Sequence, residues 1–144
     1  MISLSGFTDF VRAEGVSITV LPDDSLYLST AYDIASSIVN TDINLISSII
    51  YDLSVYNLGM DNLINFAQDV TGQTYWADIR KQFNVNSFVA GVIKESNDET
   101  TGQTIETPEY FKQMSLINLQ NLKTPYGRVY MQYSMQYGGV FCGV

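Results

Sequence analysis

The residues of this chain best suited to make specific contacts gather in its last twenty positions. Tyr126, Tyr130, Tyr133 and Tyr137 recur at i, i+4, i+7 and i+11, which places four phenols on one face of a helix. Met131 and Met135 form the adjoining row, and Arg128 adds a cation. Such a face is either packed core or a contact surface. Tyrosine suits a surface where one side stays wet, and methionine adapts to irregular partners. The apolar run Val140-Phe141-Cys142-Gly143-Val144 follows, and it is better covered by another subunit than left in water. Tyr126, Arg128, Tyr130, Tyr133, Tyr137, Val140, Phe141 and Val144 are therefore the expected interface residues. Arg128 is the expected anchor toward an acidic partner face, for which the Asp23–Asp33 region of a neighbouring copy is a candidate.

Catalytic chemistry finds little material. The chain has no histidine, which removes the commonest general base and metal ligand together. A Ser-His-Asp triad is thereby excluded, and nothing supports a Ser–Lys pair. The single cysteine, Cys142, excludes intramolecular disulfides and thiolate zinc clusters, and its apolar setting suits a passive thiol. Asp23-Asp24 is an adjacent acidic pair without further ligands, and helix capping accounts for it. The phosphate-cradling patterns GxGxxG and GxxxxGK[ST] are both absent. We expect no enzyme, no catalytic, cofactor-binding or metal-binding residues, and no cofactor.

Charge narrows the partners. The 144 residues carry a formal charge of −8, with 46% hydrophobic and only 15% charged residues. The apolar share suits a packed domain, and a chain of this length makes one. The sparse charge leaves a surface poorly protected against self-association, as in an assembly component. Residues 1–69 hold nine acids against one base, Arg12, whereas after Glu109 only Lys112, Lys123 and Arg128 are charged. Head-to-tail contact between an acidic and a basic face of identical neighbours would use that asymmetry. Specific binding of free DNA needs a basic face, so it is not expected. No apolar run is long enough to span a membrane, and the start lacks the basic and apolar stretches of a signal peptide. A cytosolic origin is the expectation.

Periodicity supplies the elements that must position these residues. Ser5 to Glu14 reads as a short amphipathic helix with Phe7, Phe10 and Val11 inward. Val16 to Leu21 is a β-prone link. Asp23 or Asp24 should then cap a helix to about Val39, with Leu28, Ala31, Tyr32, Ala35, Ile38 and Val39 buried. A tight Asn40-Thr41-Asp42 loop leads to a helix burying Ile46, Ile49, Ile50, Leu53 and Tyr56. Gly59 weakens that helix, so Leu63, Ile64 and Ala67 continue it or begin another. Tyr75 to Phe83 forms a further helix. Strands near 89–95 and 102–106 should flank the polar loop Ser96 to Gly102, with Asn97, Asp98, Glu99 and Gly102 as exposed contact residues. Thr107-Pro108 and Thr124-Pro125 each place a capping threonine before a helix-starting proline. The second of these helices runs from Pro125 to Tyr137 and stops at Gly138-Gly139. The expected fold is mainly α: one domain over residues 1–144, a small helical bundle with one β-hairpin at about 89–106 and a C-terminal helix plus extended tail at about 125–144.

The stretch TPYGRVYMQYSMQYGG, Thr124 to Gly139, resembles the ending of the head-to-tail connector family of tailed bacteriophages. Those proteins close with a T-x-Y-G-x-x-[YF] helix followed by a short tail. The preceding order of parts is similar too, including a strand element that opens G-V-I, here Gly91-Val92-Ile93-Lys94-Glu95-Ser96. Ile49, Ile50 and Tyr51 stand where the family commonly has histidine-containing text. The resemblance implies a non-enzymatic protein of the virion neck, made in the host cytoplasm. It implies an oligomeric ring, commonly dodecameric, whose partners are the portal protein and a tail or stopper protein. DNA would pass through the lumen without specific binding, and an acidic lumen would keep it from sticking. A tail-completion protein, another small virion assembly protein or a non-viral helical adaptor is the alternative reading.

Overall fold

A computed structural model of the chain describes residues 1–86, 95–97, 102–104 and 120–137. These residues are mainly helical: α1 (Leu4–Ala13), α2 (Leu26–Ile38), α3 (Asp42–Ile46), α4 (Ser48–Phe66), α5 (Tyr75–Gln82) and α6 (Pro125–Tyr137). Two three-residue strands, β1 (Glu95–Asn97) and β2 (Gly102–Thr104), pair antiparallel with Asn97 opposite Gly102. The longer strands expected from residue 89 and to residue 106 extend outside the described residues. So does the helix expected after Thr107-Pro108.

Each helix start has a local cause. The Ser3 hydroxyl accepts a hydrogen bond from the Gly6 amide at 3.0 Å and starts α1. Ser25, not Asp23 or Asp24, caps α2 by accepting from the Tyr27 amide. Asp23 is engaged elsewhere, paired with Arg12. That guanidinium also donates to the carbonyls of Val16 and Leu21 at 3.0 and 2.6 Å. The loop after α1 is thereby tied down as turns rather than a strand, and Val16 and Leu21 are pressed into the core.

The helix expected from Asp42 to Tyr56 is broken. Ser47 is extended, with φ −156° and ψ 120°, and its hydroxyl accepts from the Ile50 amide to begin α4 anew. The break rotates the apolar pattern, so Ile46 and Ile49 face solvent instead of joining the buried stripe. Ile38 is also exposed, against expectation. Gly59, in contrast, does not interrupt α4, which runs unbroken to Phe66.

α4 packs against every other described helix. Toward its C-terminal half lies the larger apolar cluster, with Phe7, Val11, Leu28, Leu63, Ile64 and Trp76 among its buried members. Toward its N-terminal half lies a second, built on Ala35, Val39, Ile43, Val55 and Leu58. The Phe7 ring bridges α1 to this helix, with Tyr32 and Tyr56 each 6.0 Å from it between centroids. Opposite Phe7 the backbone must be bare: a Cβ at Gly59 would lie 2.7 Å from the ring.

α5 is capped from a distance. Both oxygens of Asp69 accept amides, from Trp76 at 2.7 Å and Ala77 at 3.0 Å, while Arg80 donates back to the carbonyls of Ile64 and Ala67. The end of α4 and the start of α5 thus satisfy each other's unpaired backbone groups.

Gly59→Ala is expected to cost about 1–3 kcal/mol through overpacking, despite alanine's better helix propensity. In a Phe7→Leu background the same substitution should cost less. Denaturant midpoints of the four proteins in that cycle provide the measurement, and equal costs in both backgrounds would refute the contact.

Candidate functional site

The end of the described chain is held by a buried polar junction. Thr124 is 1% exposed and Asp61, on α4, is 2% exposed. The Thr124 hydroxyl donates to Asp61 Oδ1 and accepts from the Gly127 amide at 2.9 Å. It therefore caps α6 and ties it to α4 with one oxygen. Gly127 has to be glycine. A Cβ there would collide with the Asn121 carbonyl oxygen and stand 3.0 Å from Asp61 Oδ1.

Three polar residues are buried along α4, and their needs differ. Ser54 and Asn57 donate back to the carbonyls of Ile50 and Leu53 at 2.7 and 2.8 Å, so their own helix satisfies them. A carboxylate only accepts, and a helix interior has no spare donor for it. Asp61 therefore depends on Thr124, with a longer contact of 3.4 Å from Asn65 Nδ2. Burial raises its pKa from 3.8 to about 6, against the lowering effect of the Thr124 bond.

α6 runs antiparallel to α4, from the Asp61 end toward the second apolar cluster. Tyr126 packs against the first cluster, and its hydroxyl donates to Glu14 Oε2 at 3.0 Å. Burial, and then the bond to Glu14, push its pKa up to about 12. Tyr130 and Tyr137 pack against the second cluster. Three of the four tyrosines expected to meet a partner thus pack in part within the chain, where α6 covers α4. Met131 is buried as well. Arg128 is exposed, and Tyr133, like the other three tyrosines, is half-buried. Asn97 and Gly102 are the facing pair at the inner ends of β1 and β2. Asp98, Glu99, Val140, Phe141 and Val144 lie outside the described residues.

The structure shows a surface that periodicity did not assign. Ile38, Leu45, Ile46 and Ile49 are between 57% and 84% exposed, all within the corner where α2, α3 and α4 succeed one another. Val39 and Ile43, from the same corner, are buried in the second cluster. The signal in the sequence was Ser47-Ser48 interrupting the aliphatic run, a cap rather than a helical position. Among the described residues no group of three or more acids or cysteines could hold a metal, and no helix is long and apolar enough to cross a membrane. Compared with protein-family models, curated proteins and solved structures, the chain finds no match.

The Asp61 junction sets a pH dependence. A carboxylate whose folded pKa lies above its unfolded value binds more protons when folded, so stability falls as pH rises between about 4 and 6. Asp61→Asn keeps an acceptor for Thr124 without the charge. It should raise stability at pH 7.5 by about 1–3 kcal/mol and flatten that slope, leaving stability at pH 4 nearly unchanged. Denaturation curves at several pH values test this, and an unaltered slope would refute it.

Proposed function

We propose that this chain is a structural, non-enzymatic component of a tailed-phage virion neck. In this reading it forms a ring that adapts the portal protein to a tail or stopper protein, and DNA passes through the lumen unbound. The observation that carries the reading is the aliphatic corner at Ile38, Leu45, Ile46 and Ile49, which a solitary protein would be expected to bury. Large uncovered apolar side chains mark surfaces that another protein covers.

The T-x-Y-G residues support kinship in a specific way. Thr124 caps α6 and binds Asp61, Tyr126 binds Glu14, and Gly127 lets the chain pass closely. Each therefore serves the docking of the last helix on α4. Residues with such duties persist for the sake of the fold, and a shared motif of this kind argues for a shared architecture more than a shared contact. The contacts to portal and to neighbouring copies then fall to exposed residues, the aliphatic corner and Arg128, and we assign the rest to residues 97–102 and to residues 140–144. The acidic excess of residues 1–69 suits a lumen that does not retain DNA.

Native mass spectrometry of the purified protein, alone and mixed with portal, tests the proposal. A closed oligomer joining the portal is the expected result; a monomer that ignores portal would overturn it. Deleting residues 140–144 should leave cooperative unfolding intact while abolishing that association.

A further inference from the structure

Tyr137, the last residue of α6, packs on the buried cluster that contains Val39 and Ile43. Val39 and Ile43 belong to the same α2–α3–α4 corner as the exposed Ile38, Leu45, Ile46 and Ile49, so α6 ends on the cluster that this corner helps to form. The seven residues that follow, Gly138-Gly139-Val140-Phe141-Cys142-Gly143-Val144, include no charged side chain. Extended, they can reach about 23 Å. The paired glycines at their root allow a change of direction that other residues resist. In the single chain the corner nevertheless stays open, with Leu45 84% and Ile49 69% exposed.

We propose that the corner of α2, α3 and α4 is the receptor for residues 140–144 of a second copy of this chain. Apolar side chains on a connector of sufficient length meet an apolar surface that is exposed in the single chain. Val140, Phe141 and Val144 fill the space over Leu45, Ile46 and Ile49, and every copy both gives and receives one segment. The proposal rests on the assembly reading above and specifies which surfaces join the subunits.

Cys142 makes the test direct, because it is the only cysteine in the chain. Wild-type protein is mixed with an L45C/C142S variant under mild oxidation. A disulfide between them is necessarily intermolecular and requires the two Cα atoms to come within about 7 Å. The control is T71C/C142S, at an exposed position beyond the far end of α4. At least ten times more linked product from L45C/C142S than from the control is the expected result. Equal yields would overturn the proposal. An intramolecular disulfide in L45C alone, with no linked product in the mixture, would also overturn it, since the segment then covers its own corner. Portal association of the wild-type protein is recorded in parallel. If it persists while the disulfide fails, only this docking is wrong; if it is absent as well, the assembly reading falls too.

Discussion

Asp61 and Thr124 stand 63 positions apart, and a single hydroxyl joins them. Closing a chain segment of that length costs on the order of 4 kcal/mol in entropy. A hydrogen bond to a charged group returns about 1.5–3 kcal/mol, so the junction cannot hold α6 alone. Burial of Met131 and partial burial of Tyr126, Tyr130 and Tyr137 have to supply the remainder. The division of labour follows from this. Apolar contact attaches α6, while Asp61 and Thr124 decide its register, because a shift by one residue would leave the buried carboxylate with only the 3.4 Å contact from Asn65.

The same constraint explains why contact residues and fold residues separate along this helix. A helix that has to dry two clusters can spare only its outer edge for anything else. Tyr126, Tyr130 and Tyr137 therefore pack inward in part, whereas the exposed aliphatic side chains lie on a corner built from other elements. Uncovered aliphatic side chains at that corner, together with firmly buried Val39 and Ile43, combine a rigid base with an apolar top. That combination suits reception of a short extended segment, since the base does not have to be ordered on binding.

Much of this architecture was legible in the amino-acid order, and the exceptions have physical reasons. The span of α6 followed from Thr124-Pro125 because both the cap and the proline act locally. Phe7 and Val11 were legible as core because α1 is short and strictly periodic. Local rules offer Asp23 or Asp24 rather than Ser25 as the cap of α2, because the Arg12 pairing that occupies Asp23 comes from another element. The break at Ser47 was missed because Ile46, Ile49 and Ile50 continue a helical pattern across it, and periodicity is blind to one extended residue. The cap of α5 by Asp69 lies outside any local rule, since its carboxylate reaches Trp76 and Ala77 from seven and eight positions away. Asp61 read as ordinary acid on a helix. Its burial depends on Gly127 admitting the Asn121 carbonyl, a fact of packing that no short window of sequence contains.

The antiparallel return of α6 along α4 has a consequence for the order in which the protein is made. The second cluster is complete in its buried members once Leu58 has been synthesised, yet Tyr130 and Tyr137 are still to come. For the time a ribosome needs to add roughly eighty more residues, several seconds at common elongation speeds, Ala35, Val39, Val55 and Leu58 wait without their final cover. The nascent chain therefore passes through a stage with two neighbouring apolar surfaces, one temporary and one permanent. The arrival of residue 137 separates them, covering the temporary surface and leaving the aliphatic corner exposed.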